Sequence, residues 1–262
     1  MAAPTSILSG IHALADKWLQ LDLRAREPHY QHRTACIEVC GRGSIPSAQN
    51  FLEASYRQID SNFSQAKDGG YFNPSKSNWR FKPLSNISLE NTSPEVKLER
   101  SIVRAADDHW ANQVPTSSGL VGPRADKVRN IDLVQRLGER HFSFIELKVE
   151  SNNPLFAAIE ILTYGLIFSW SKAKAHDLGY QIERQPIIAA ESVDLCVLAP
   201  KEYYQNLSMG NLGAAINNGL ESCTDMLGLP ISFSFTHFPE AFSLGAPDPL
   251  ILKNAAERVH IE

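Results

Sequence analysis

Three charged side chains stand inside two short runs that otherwise read as protein core. Asp132 lies in Asn130-Ile131-Asp132-Leu133-Val134, and Glu146 and Lys148 lie in Phe142-Ser143-Phe144-Ile145-Glu146-Leu147-Lys148-Val149. Ionised groups are almost never fully buried without a partner. Two carboxylates about 5 Å apart, the spacing of directly opposed strand residues, repel by roughly 3–4 kcal/mol at an effective dielectric near 20. A divalent cation relieves that repulsion, and all-oxygen ligands suit Mg²⁺ or Mn²⁺. The Leu147 carbonyl offers a further oxygen. Lys148 cannot ligate as an ammonium, but it can hold a water or stabilise charge developing on a phosphate. A metal, an activated water and a cation make a kit for phosphodiester hydrolysis. The plainer alternative is that Glu146 and Lys148 are neighbours on a solvent-exposed strand face.

This chemistry depends on register. The segment Leu137-Gly138-Glu139-Arg140 carries the turn signal between the two strands. A hairpin centred near 138–139 sets Asp132 opposite Glu146. Period two puts Phe144, Glu146 and Lys148 on one face and Ile145, Leu147 and Val149 on the other. A slip of one residue would separate the three charges.

The flanking elements carry further candidates. Ser93 suits a helix N-cap, Pro94 the first helical position and Glu95 the positive helix end. This helix is expected to run to about Trp110, with Ile102, Val103, Ala106 and Trp110 on one face. Glu99 falls on that same face, unless it is a helix-edge carboxylate paired with Arg100 or Arg104. A strand is expected around Gly119-Leu120-Val121-Gly122, ahead of the hairpin. Asn152-Asn153-Pro154 opens a helix from Leu155 to about Ala175 that is apolar nearly all round and therefore buried. Glu160 and Tyr164 lie four apart on one face of it, as a functional pair or as a packing pair sharing a buried hydrogen bond. A buried strand at 193–199, a helix at 211–227 and an alternating strand from Ile231 complete the series. From residue 93 the order is helix, three strands, helix, strand, helix, strand, which predicts an α/β domain with a mixed central sheet.

These residues resemble the PD-(D/E)xK nucleases, whose fold is restriction-endonuclease-like. Asp132 matches the acidic residue of the first motif strand, and Glu146-Leu147-Lys148 matches the (D/E)xK tripeptide. Glu99 matches a Glu often found on the preceding helix. Glu160-Ile161-Leu162-Thr163-Tyr164 matches the Gln/Glu-x-x-x-Tyr of RecB-like members. The resemblance covers about 93–240, and Ile131 stands where the family often has proline. It implies that Asp132, Glu146 and Glu99 bind Mg²⁺ (or Mn²⁺), that Lys148 positions water, and that Glu160 and Tyr164 orient substrate or support the site. DNA is the implied partner, with a homodimer or a protein partner engaged through the N-terminal region also compatible. The alternative function is a nuclease-fold module that binds nucleic acid or protein without cutting.

Residues 1–90 read differently from 91–262, as a mostly helical extension. Helices are expected at 7–23 and 46–66 and a short strand at 35–40, followed by a Gly-, Asn-, Ser- and Pro-rich loop from 68 to 91. Within that loop, Tyr71, Phe72, Trp79 and Phe81 mix with Lys76, Arg80 and Lys82. Such a mixture either anchors the loop over the core or stacks unpaired bases. His29 and His32 are weak metal candidates. Cys36 and Cys40 lack a second pair at zinc spacing.

The bulk composition narrows the choice. The 262 residues are 43% hydrophobic and 21% charged with a net charge of −4. That fits a globular protein and argues against a strongly basic nucleic-acid coat. No basic, apolar leader opens the sequence. The longest apolar stretch, 155–170, is interrupted by Glu160, so a cytoplasmic location is expected. No Gly-x-Ser-x-Gly elbow supports a serine hydrolase.

Overall fold

The computed structural model describes residues 4–21, 28–84, 93–105, 108–123, 125–127, 129–149, 153–239, 242 and 259–260. The protein is α/β, with a mixed sheet of five main strands packed against helices. The strands are β1 (Trp110–Pro115), β2 (Asn130–Arg136), β3 (His141–Leu147), β4 (Ser192–Ala199) and β5 (Ile231–His237), and they lie in chain order across the sheet. The first three are antiparallel neighbours, while β3–β4 and β4–β5 are parallel. A two-residue strand, β6 (Val259–His260), adds an antiparallel edge beside β5.

The helices are α1 (Ile11–Trp18), α2 (Arg33–Cys40), α3 (Gln49–Asp68), α4 (Pro94–Ala105), α5 (Pro154–Ala173), α6 (Gly210–Ser222) and α7 (Thr224–Leu227). Parallel strands need a crossover; α5 supplies it from β3 to β4, and α6 with α7 from β4 to β5. The two faces of the sheet bury different sets of side chains. Leu133, Ile145, Leu147 and Leu198 pack with Leu98, Ile102 and Val103 of α4. Val134, Phe144, Leu195 and Val197 share the larger cluster with α5.

Helix α5 is long and apolar enough to cross a membrane, yet it is a core helix, with 89% of its apolar window buried. Asn153 caps it by accepting the Phe156 N–H at 3.1 Å, and Pro154 occupies its first position. Gly165 lets it settle onto β4, since a Cβ there would stand 2.8 Å from Leu195 Cδ1.

The N-terminal helices pack onto this core within the same buried cluster. Trp170 of α5 donates its indole N–H to Asp60 of α3 at 3.0 Å, and its ring lies 4.9 Å from that of Phe63. Asn62 donates to the carbonyls of Ile7 and Ser9 at 2.8 and 2.9 Å, holding the chain ahead of α1.

The order of elements from residue 93 follows the sequence pattern, but several boundaries do not. The chain at 35–40 is helix, not strand. Its β-branched residues suggest extension, yet Ala35, Cys36, Val39 and Cys40 are buried while Ile37 is 52% exposed, which is helical spacing. Helix α4 ends at Ala105, and Trp110 begins β1. Ala106, expected on the same helix face, lies outside the described residues. The strand expected at 119–122 is a turn. Gly119 sits there at φ +78, against the Asn73 carbonyl, where a Cβ would come within 2.2 Å. The first strand of the trio is instead Trp110–Pro115, whose apolar alternation is too weak to announce it. Helix α1 covers only Ile11–Trp18 of the expected 7–23, and the chain turns at Gln20 with φ +52. The aromatic loop covers the core: Trp79 is fully buried, with its ring 5.3 Å from Phe168 and 6.2 Å from Phe144. The part of that loop at 85–92 lies outside the described residues.

Candidate active site

The β2–β3 ladder pairs Leu133 with Ile145 and Val134 with Phe144. The same register carried one residue further sets Asp132 opposite Glu146. There the backbone ladder gives way to a side-chain bond, in which Leu147 N–H donates to Asp132 Oδ2 at 2.9 Å. Lys148 continues beyond β3, its own N–H held by the Leu198 carbonyl at 3.0 Å. The three charges therefore gather at the carboxyl end of β3, where the sheet changes from antiparallel to parallel. Open α/β sheets bind ligands outside such ends.

Lys148 joins the group together. Its ammonium contacts Glu146 Oε1 and lies 3.4 Å from Glu160 Oε2. Tyr164 Oη donates to Glu160 Oε1 at 3.4 Å, one helical turn along α5. Glu146 is buried, Tyr164 is buried, and Asp132, Lys148 and Glu160 are partly exposed.

The burial has electrostatic consequences. Asp132 is pushed up to about 6, chiefly by desolvation, with Lys148 and the Leu147 N–H pulling it back. Desolvation, then the charges of Asp132 and Glu160, drives Glu146 well above the usual carboxylate range. Burial alone would lower Lys148, but Glu146, Glu160 and Asp132 outweigh it and raise the ammonium, so Lys148 stays protonated. Tyr164 is raised by desolvation and by Glu160, and is a hydrogen-bond donor rather than a phenolate.

Glu99 takes a different place. It is buried, and the Gln113 amide donates to its two oxygens at 2.9 and 3.0 Å, with Asn112 at 3.5 Å. It pairs with neither Arg100 nor Arg104 in these bonds. Desolvation and the charge of Asp132 raise it to about 8. Its link to the site is through charge. Among the described residues, no three His, Cys, Asp or Glu side chains form a group able to hold a metal ion. His29 and His32, with ring centroids 6.4 Å apart, belong to no such group.

Two residues near the site carry little signal in the sequence. Gln113 lies in line with Asp132 between the Asn112–Leu133 and Val114–Ile131 pairs of the β1–β2 ladder. Its backbone is left-handed, at φ +48, which is rare for a residue with a side chain in a strand. Its carbonyl is held by Arg80 at 2.9 Å. Glu95, one turn before Glu99 on α4, accepts the Val149 N–H at 3.2 Å and so fixes the chain just after Lys148. Its charge adds to the upward shift of Asp132.

Two carboxylates, fewer than a three-residue metal-holding group, meet at this end of the sheet. Asp132 and Glu146 present carboxylate oxygens from neighbouring strands, and both are held above their ordinary pKa, the condition a cation relieves. Comparison with protein-family models, curated proteins and solved structures returns no match for the chain.

Proposed function

We propose that this chain is a Mg²⁺-dependent nuclease, restriction-endonuclease-like and of the PD-(D/E)xK kind, that hydrolyses DNA phosphodiester bonds. One observation carries the reading. Asp132 is bonded to the backbone of the Glu146-Leu147-Lys148 tripeptide, and Lys148 is shared between Glu146 and Glu160.

In this reading Asp132 and Glu146 hold Mg²⁺ or Mn²⁺. Such an ion, when bound, would supply Lewis acidity toward the phosphate and water. Lys148, its ammonium stabilised by Glu146, Glu160 and Asp132, would place a cation where negative charge builds on the phosphate. It acts as a charge and a hydrogen-bond donor, not as a base. Glu160 and Tyr164 keep the lysine in position. Glu99, held by the Gln113 amide, lies within reach of the charge of Asp132, which raises it.

The test is cleavage of plasmid and linear DNA with Mg²⁺ or Mn²⁺ by the wild type, Asp132→Ala and Lys148→Ala. Loss of cutting in both variants supports the reading, and equal cutting by all three removes it. A second reading, a nuclease-like module that binds without cutting, is favoured by the close Lys148–Glu146 contact, which occupies one carboxylate. Calorimetric titration with Mn²⁺ separates them: folded wild-type protein that takes up no ion favours the binding module.

A further inference from the structure

The N-terminal helices also wall a pocket of about 230 Å³ that opens beside Glu160. Ile11 and Phe156 give it apolar sides, and His12, Tyr30, Arg129 and Glu160 give it polar ones. Its walls are built rather than incidental. Asp16 accepts the backbone N–H groups of His29 and Tyr30, both at 2.9 Å. Tyr30 is stacked on Phe156 with centroids 6.1 Å apart, and its hydroxyl meets His12 Nδ1 at 2.5 Å. Arg129 Nε is anchored 2.5 Å from Asp126, which is itself fixed by Ser6 Oγ at 2.7 Å and the Ile7 N–H at 2.8 Å. A guanidinium anchored at Nε keeps the terminal fork that suits phosphate oxygens.

The pocket connects to the catalytic group. The charge of Arg129 acts on His12, Tyr30 and Tyr164, and Glu160 lines the pocket. Tyr164 bonds Glu160, and Glu160 bonds Lys148. A cation, an apolar wall with an aromatic ring, and direct continuity with a phosphodiester-cleaving centre describe a nucleotide. The volume falls below the roughly 300–1,000 Å³ of clefts for drug-sized ligands, so it excludes a duplex end and takes the base of one nucleotide with the phosphate at the mouth.

We infer that this pocket receives a single unpaired nucleotide of the DNA strand next to the phosphate that is cut, its phosphate on Arg129 and its base against Phe156 and Ile11. The inference rests on the nuclease reading and assigns its substrate class. A base in this pocket has left the duplex stack, so strands with an unpaired nucleotide at the cut are preferred over continuous duplex.

Two measurements on the full chain test it. The first is calorimetric binding of 2′-deoxyadenosine 5′-monophosphate without divalent metal. Wild type binds it; Arg129→Gln weakens binding about tenfold, the equivalent of one charge-assisted hydrogen bond; Arg129→Lys recovers part; and adenosine without phosphate binds more weakly. His12→Gln, at another lining residue of the pocket, also weakens binding and serves if the Arg129 variants do not fold. The second is the cleavage rate of a flapped or single-stranded oligonucleotide against blunt duplex with Mg²⁺. Wild type prefers the former by about tenfold or more, and Arg129→Gln loses the preference while Asp132→Asn cuts both more slowly, by about 100-fold or more. Equal nucleotide binding by wild type, Arg129→Gln and His12→Gln, or none by wild type, overturns the pocket assignment even if Mg²⁺-dependent cutting stands. Nucleotide binding that depends on Arg129 in a protein that cuts nothing would leave the pocket and sink the nuclease reading.

Discussion

Asp132 accepts the backbone N–H of Leu147 through its side chain, at 2.9 Å, where the β2–β3 ladder ends. The bond replaces the next rung of the ladder and locks Asp132 against the Glu146–Lys148 tripeptide. It also means that the side chain of Asp132 has a structural duty separable from its charge.

Asp132→Asn separates the two. The amide keeps an oxygen for the Leu147 N–H and removes a carboxylate that burial holds up to about 6. The expected variant folds with unchanged or higher thermal stability in metal-free buffer at pH 8. On the proposed nuclease function, its Mg²⁺-dependent DNA cleavage should fall by about 100-fold or more, the scale of losing one electrostatic element of a catalytic site. Thermal melts and plasmid cleavage on the same preparation check both halves.

Lys148→Met should act in the opposite sense on stability. It strands the buried Glu146 carboxylate and removes the partner of Glu160. Breaking such a buried pair costs roughly 3–5 kcal/mol. The loss should be largest at pH 8 and smaller near pH 5, where a stranded Glu146 takes up a proton. Urea unfolding at the two pH values measures it, and millimolar Mg²⁺ should recover part of the loss at pH 8 by binding the folded state.

The geometry of the candidate site was legible where the sequence rules are local. Gly138 placed the turn, period two placed Glu146 and Lys148 on one face, and a spacing of four placed Glu160 with Tyr164. These are consequences of backbone geometry over a few residues. The role of Gln113 was not legible, because a left-handed residue within a strand is imposed by the surrounding fold and has no glycine to mark it. Glu95 reads as a helix-start carboxylate, and its bond to Val149 depends on how α4 lies across the sheet. The N-terminal wall was hidden for the same reason: Asp126 and Asn62 join segments more than 50 residues apart, and Asp16 reaches from α1 to His29 and Tyr30. Strand β1 was missed because Trp110-Ala111-Asn112-Gln113-Val114-Pro115 lacks the alternation that marks a half-buried strand.

Glu99 sets a pH dependence. Its folded-state pKa is raised from the ordinary carboxylate value to about 8. Between pH 4.5 and 8 the metal-free folded protein therefore retains a proton that the unfolded chain has released. Stability must fall as pH rises through that window, by on the order of 2–5 kcal/mol from this group. Glu99→Gln keeps the hydrogen-bonding shape and removes the titration. Its unfolding free energy should vary less between pH 5 and 8 than that of wild type and should exceed it at pH 8. A variant with the wild-type slope would show that Glu99 is not the responsible group.

Gly219 tests how the N-terminal helices join the sheet domain. It lies on α6 against the start of α3, where Ala48 N–H donates to the Ala215 carbonyl at 2.9 Å. A Cβ at Gly219 would stand 2.7 Å from Gln49 N and 2.8 Å from the Ala48 carbonyl carbon, both backbone atoms that cannot swing aside. In a free helix, Gly→Ala stabilises by about 1 kcal/mol. Here the contact should reverse the sign, and Gly219→Ala should destabilise by about 1–3 kcal/mol, the usual range for overpacking. Gly213, on the same helix, meets only Phe235 Cδ2 at 3.9 Å, so Gly213→Ala should follow the helix-propensity sign and stabilise. Urea unfolding of the two variants side by side decides the matter. Stabilisation by both would mean that α3 is not held against α6 in solution, and a destabilised Gly219→Ala beside a stabilised Gly213→Ala would fix that packing.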